Sequence, residues 1–198
     1  MFSALSATIQ QELTQLAQRY DQPLVRTIHL DIQTLFDPLT ARDRYGEVCM
    51  VVRRRSGHLI TMTKSFYPRG SFRLPTGGIN FGENIYDALL RETYEETGLE
   101  VNVTQFLAAL AYSVPRISTT PVFYTFAFLL DEVSGTLAAI DESERVEAYR
   151  EILPGELPSL AACLEHVKPE ASDEIGGNWH DWGIFRAAIH RAVAERLV

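Results

Sequence analysis

Along this chain, stretches whose apolar residues recur every three or four positions are interleaved with stretches where apolar residues run together. Phe2, Leu5, Ile9, Leu13, Leu16 and Tyr20 form one stripe of an amphipathic helix. Asp21-Gln22-Pro23 ends it, because proline cannot continue a helix and restricts the residue before it. Residues 24–32 alternate in part, as an edge strand does. Residues 47–55 and 58–64 flank Ser56-Gly57, which predicts two strands joined by a tight turn. Residues 84–97 read as a helix, with Gly98 as its left-handed cap. Residues 101–114 and 121–130 are rich in β-branched and aromatic side chains and read as strands. Residues 157–166 follow Pro154-Gly155 as a short helix, and residues 172–178 have the composition of a loop. Trp182, Phe185, Ile189, Val193 and Leu197 mark a final amphipathic helix.

Strands and helices are mixed without regular βαβ alternation, which predicts an α+β fold around a mixed sheet. The expected organisation is one main domain over residues 24–170. Residues 1–23 add an N-terminal helix, and residues 171–198 add a C-terminal helix packed on the same domain. The N-terminal stripe can cover that domain or meet a second copy in a homodimer.

Composition narrows the class. The chain has 198 residues, 46% hydrophobic and 22% charged, the balance of a folded globular protein. A chain this long buries about 70% of its unfolded surface, so its core needs neither disulfide nor metal. Cys49 and Cys163 match no metal or redox spacing and read as buried free thiols, which points to a cytoplasmic protein. No basic residue precedes Arg19, so no secretory signal pattern is present. The longest strongly apolar stretch, 122–130, is far short of the ~20 residues that span a bilayer. A net charge of −8 argues against a general nucleic-acid binder, whose affinity comes from neutralising phosphates. It still permits a phosphate substrate if a divalent cation is recruited. The charge is also uneven: residues 53–73 hold six bases and no acid, and residues 131–174 hold twelve acids and three bases.

The candidate chemistry sits between those segments. Glu92, Glu95 and Glu96 stand at i, i+3 and i+4 on the helix of residues 84–97, so their carboxylates share one face. Like charges at these spacings destabilise a helix by ~0.2–0.5 kcal/mol per pair. They also lie in its last turns, where the helix dipole disfavours anions. Folding does not call for this arrangement, but a hard divalent cation reverses its sign. The preceding loop, Gly77 to Gly82, has the spacing of a phosphate-cradling loop but leads into Glu83-Asn84 rather than Lys-Ser or Lys-Thr. A phosphate there meets carboxylates, which is favourable only with a metal between them.

At these residues the chain resembles the Nudix hydrolase family, whose box reads G-x5-E-x7-R-E-U-x-E-E-x-G-U with U aliphatic. Gly77, Glu83, Arg91, Glu92, Glu95, Glu96 and Gly98 match all seven of its non-aliphatic positions, and Leu99 supplies the last aliphatic one. Thr93 replaces the other aliphatic residue. Its shape is close to that of valine, and its hydroxyl can bond a carbonyl one turn back.

The resemblance implies a Nudix-like α/β/α sandwich and Mg²⁺- or Mn²⁺-dependent hydrolysis of a nucleoside diphosphate linked to another group. It also implies that Glu92, Glu95, Glu96 and the Thr76 carbonyl hold metal, and that Arg91 orients a box glutamate. Glu83 would brace the loop from behind. The general base would be a box glutamate such as Glu95, or Glu144 or Glu147 on the later acidic stretch. Lys64, Arg69 and Arg73 are candidates for substrate phosphates, beside Gly77 and Gly78.

Lys64-Ser65-Phe66-Tyr67-Pro68 leading to Leu74-Pro75-Thr76-Gly77, with Pro115 beyond the box, is similar to the ADP-ribose and nucleotide-sugar branch. Arg73 stands where that branch often has an acid. The alternatives are a hydrolase of nucleoside triphosphates or dinucleoside polyphosphates, and a nucleotide-sensing module without catalysis. The expected partner is a small nucleotide, with neither nucleic acid nor membrane.

Overall fold

The computed structural model describes residues 2–197, apart from the side chain of Thr119. Its strands are β1 (Leu24–His29), β2 (Arg44–Arg53), β3 (Leu59–Lys64), β4 (Thr76–Asn80), β5 (Leu99–Val114), β6 (Ser118–Gly135), β7 (Val146–Ile152), β8 (Ala171–Ser172) and β9 (Gly177–Asn178). The α-helices are α1 (Ala7–Arg19), α2 (Ile85–Thr97), α3 (Leu157–Glu165) and α4 (Trp179–Leu197). Seven strands form one sheet in the order β1-β5-β6-β2-β3-β7, with β4 also paired to β2. The β1–β5 and β2–β6 pairs are parallel, and β5–β6, β2–β4 and β3–β7 are antiparallel, so the sheet is mixed.

Helices cover both faces of this sheet, which explains the near-continuous apolar runs. Successive strand residues point to opposite faces. On β2, Val48, Met50 and Val52 join the core under α1 and α2, and Cys49 and Val51 join the core under α3 and α4. On β6, Phe126, Phe128 and Leu130 face the first of these cores, and Ala127 and Leu129 face the second.

The N-terminal stripe serves this chain's own core. Leu5, Leu13, Leu16 and Tyr20 are buried with Ile85 and Leu89 of α2. The helix is shorter than the stripe suggests. Ser6 accepts a hydrogen bond from the Ile9 amide and caps α1, and residues 2–4 form a separate 3₁₀ turn.

Three other expectations change. β7 is a strand within the later acidic stretch, mixing exposed with half-buried positions, for which the hydrophobic pattern gave no element. Residues 171–178 fold into a small hairpin, β8–β9. Cys49 is buried, but Cys163 is exposed at the solvent side of α3. Among the described residues, no helix is long and apolar enough to cross a membrane.

Candidate active site

α2 begins after Asn84 and ends on Gly98, whose φ of 65° is left-handed and suits glycine. Asn84 makes no side-chain cap; it donates to Asp87 Oδ2 instead. The Thr93 hydroxyl donates to the Leu89 carbonyl, 2.6 Å away, so the departure from an aliphatic residue is absorbed inside the helix.

Arg91 ties the loop to the helix. Its Nε and Nη2 donate to the two Glu83 oxygens at 2.7 and 2.9 Å, a bidentate charge-assisted pair. Its Nη1 donates to Glu92 Oε1 and Glu95 Oε2 at 2.8 and 2.9 Å, and Nη2 also reaches the Gly78 carbonyl. Glu83 accepts from the Asn80 amide, and the Arg91 guanidinium holds its carboxyl below the usual carboxylate range. Arg91 thereby aims two box carboxylates and anchors Gly78 from one position.

The box glutamates have different surroundings. Burial raises the pKa of Glu92. Gly77 lies directly behind that carboxyl group; a Cβ at Gly77 would occupy the same space. Glu95 is half-buried at the rim. Glu96 is wholly buried, and burial pushes it up to about 7 against the opposing charges of Lys64 and Arg73. Lys64 Nζ lies 3.0 Å from Glu96 Oε1, without hydrogen-bond alignment, so both Glu96 oxygens lack a hydrogen-bond partner among the described residues. The same ammonium donates to Glu144 Oε2 at 2.6 Å. Burial opposes ionisation of Glu144, but the Lys64 bond outweighs it and keeps that carboxyl low.

Tertiary packing regroups the acids. Glu92, Glu95 and Glu144 bring carboxylate oxygens within 4.8 Å of one another. Glu96 instead meets Lys64, and Glu147 is exposed on β7 outside this group. Three carboxylates converging from a helix and a distant 3₁₀ turn form a hard oxygen donor set, the kind that suits Mg²⁺ or Mn²⁺.

Beside them lies a cavity of about 160 Å³, lined by Lys64, Arg73, Thr76, Gly77, Gly78, Glu92 and Glu144. Of the phosphate candidates, Lys64 and Arg73 reach it. Arg69 lines a separate groove with His166 and Lys168. Arg73 is buried, with donors directed to the Tyr67 hydroxyl, the Leu74 carbonyl and Thr76 Oγ1.

Sequence reasoning missed the other walls of the cavity: Asp37 and Pro38 before β2, Arg44 and Glu47 on β2, and Trp182 and Arg186 on α4. Two signals were available. Glu47 is a charge inside an otherwise apolar buried run, and Arg186 and His190 interrupt the apolar stripe of α4. Tyr112 is fully buried, whereas Phe66 and Tyr67 line the cavity.

A family model described as NUDIX domain matches residues 44–174. The ADP-ribose pyrophosphatase of Methanocaldococcus jannaschii is 28% identical over 152 residues, covering 76% of this chain and 82% of that protein. The NAD-capped RNA hydrolase NudC of Haemophilus influenzae is 28% identical over 166 residues, covering 77% of this chain and 56% of that one. Nudix hydrolase 2 of Arabidopsis thaliana is 36% identical over 73 residues, 26% of its length. A solved MutT NUDIX hydrolase from Burkholderia pseudomallei superposes with a TM-score of 0.50 at 15% identity, over 79% of this chain and 100% of that one, a likeness of fold. The sandwich and the arginine-braced carboxylates are those of a hydrolase. The chain belongs to the Nudix hydrolase family.

Proposed function

We propose that this enzyme hydrolyses the pyrophosphate bond of a nucleoside diphosphate linked to another moiety, with ADP-ribose or a nucleotide sugar as its substrate. The observation that carries this reading is the convergence of Glu92, Glu95 and Glu144 beside a small cavity that cations also line. The relatives named for ADP-ribose and NAD-capped RNA support a nucleoside diphosphate as the shared element.

The residues fit a divalent ion. Glu92 and Glu95 would hold it, with the Thr76 carbonyl as a further candidate at the cavity wall and Glu144 beside them. Bound there, Mg²⁺ or Mn²⁺ supplies charge neutralisation for the phosphoanhydride and lowers the pKa of a water.

The chain's own residues do the rest. Arg91 fixes the orientation of Glu92 and Glu95 so that little reorganisation accompanies reaction. Gly77 leaves room for the Glu92 carboxyl. Lys64 offsets the buried charge of Glu96 and keeps Glu144 ionised, and Glu144 accepts the proton of the attacking water from its place at the cavity wall. Hydrolysis of soluble nucleotides of this kind fits a cytoplasmic enzyme.

The test is a substrate panel with Mg²⁺, with Mn²⁺ and with excess EDTA. It would comprise ADP-ribose, nucleotide sugars, NAD-capped RNA, nucleoside triphosphates and dinucleoside polyphosphates. Release of AMP from ADP-ribose that stops in EDTA is expected. Cleavage that persists in EDTA, or preference for a triphosphate, overturns the reading.

A further inference from the structure

The cavity extends beyond the family segment at both ends: Asp37 and Pro38 lie before residue 44, and Trp182 and Arg186 lie after residue 174. We infer that Arg186, on the C-terminal helix, is a substrate-binding contact to a phosphate of the bound nucleoside diphosphate, held in place by Glu47. The inference rests on the proposed hydrolase reading and adds a residue that reading does not need.

Elimination among the cations supports it. Arg44, Lys64, Arg73 and Arg186 line the cavity. The Lys64 ammonium is engaged by Glu96 and Glu144. Every nitrogen of the Arg73 guanidinium already donates to protein. Arg44 turns Nε and Nη2 toward Asp43 at the rim.

Arg186 differs from these three. Its Nη1 takes all of its protein contacts: both Glu47 oxygens at 2.7 Å and Thr76 Oγ1 at 3.1 Å. Among the described residues, Nε has no partner although it is buried, and no hydrogen bond is made by Nη2. A buried N–H without an acceptor is unfavourable unless a ligand satisfies it. The Nε–Nη2 edge is also the fork by which arginine takes two oxygens of a phosphate at once. Glu47, itself buried and also bonded to the Thr125 hydroxyl, keeps the opposite edge occupied.

Arg186 is carried on a fixed element. His190 donates from Nδ1 to the Arg186 carbonyl and accepts the Leu74 amide on Nε2, tying α4 to the segment that leads into β4 at Thr76. Asp181 accepts the Gln33 and Thr34 amides and the Thr34 hydroxyl, tying α4 to the segment that carries Asp37. The cavity has a volume of about 160 Å³. That is room for phosphate groups, whereas a drug-sized ligand fills ~300 Å³ or more. On this inference the phosphates lie between Glu92 and Arg186, which both line the cavity.

The test compares wild type with Arg186→Lys and with the double variant Glu47→Gln/Arg186→Met. The double variant removes both members of the buried pair and so avoids stranding one charge. ADP and adenosine are titrated calorimetrically with Mg²⁺ present, and Mn²⁺ is titrated alone. ADP affinity should fall about 10–100-fold, the scale of a lost charged hydrogen-bond pair, while adenosine and Mn²⁺ stay within about twofold. In ADP-ribose hydrolysis, KM should rise far more than kcat falls.

ADP affinity unchanged in a folded variant overturns the inference, and so does an equal loss of Mn²⁺ affinity. If the double variant does not fold, Arg186→Lys decides, because a lysine lacks the fork and an unchanged ADP affinity then refutes the contact. Unaltered KM in variants that still cleave ADP-ribose sinks this inference alone. Arg186-dependent ADP binding without any cleavage sinks the hydrolase reading alone.

Discussion

Lys64 places its ammonium nitrogen 3.0 Å from a Glu96 carboxylate that is wholly buried, and 2.6 Å from Glu144. This one cation joins the end of α2 to a turn about fifty residues later. It also separates the box glutamates into two kinds: Glu92 and Glu95 converge with Glu144, and Glu96 pairs with lysine.

Glu96→Gln should stabilise the metal-free protein at pH 8. A carboxyl of this type ordinarily titrates at 4.5, and burial pushes Glu96 up to about 7. Between these values the folded state holds a proton that the unfolded chain has released. The stabilisation is therefore complete below the ordinary value and is lost as pH rises through about 7. Removing the charge should recover on the order of 3 kcal/mol. Thermal melts in EDTA should show a Tm gain of ~5–10 °C at pH 8 and almost none at pH 4. Equal gains at both pH values would contradict the assignment.

Gly77→Ala should leave the fold in place and disable the site. The added methyl collides with the flexible end of Glu92 rather than with backbone, so the carboxyl moves instead of the strand. Mn²⁺ affinity should drop by ~10-fold or more, the loss seen when support for metal ligands is removed, with Tm little changed. A titration indistinguishable from wild type counts against Glu92 as a ligand.

Glu144→Gln and Glu147→Gln should behave differently although they are three residues apart. Glu144 lies within 4.8 Å of Glu92 and Glu95, and Glu147 is exposed on β7. The first change should lower kcat by ~10²–10⁴-fold, the scale of a lost general base, and the second should be silent. Steady-state rates under saturating Mg²⁺ decide, and a reversed order would move the base to Glu147.

A chain beginning at Leu24 should be severely destabilised. It loses Leu5, Leu13, Leu16 and Tyr20 from the core above α2. At ~1.5–3 kcal/mol for each buried large apolar side chain, their sum rivals the 5–15 kcal/mol stability of a whole domain. Circular dichroism melts and sedimentation should show a low-melting, self-associating species. An unchanged Tm would free the stripe to serve a dimer.

Local pattern carried much of this protein's design. The spacing of Gly77, Glu83, Arg91, Glu92, Glu95, Glu96 and Gly98 placed the carboxylates on one helix with an arginine able to hold them. Periodicity located α1, α2, α3, α4 and the long strands, because helix and strand repeats are set by neighbouring residues. β7 has only a short apolar alternation, broken at Tyr149-Arg150-Glu151, so local pattern marks it weakly.

What only the tertiary structure decided is which charges meet. Glu144 joins Glu92 and Glu95, Lys64 takes Glu96, and Arg186 reaches Glu47 across 139 positions of sequence. Ion pairing depends on distance in space, and that distance is set by how the sheet brings β2, β3 and α4 together. The sequence alone therefore determined the helix that bears the carboxylates, and the packing of the two flanking layers determined the cavity they face.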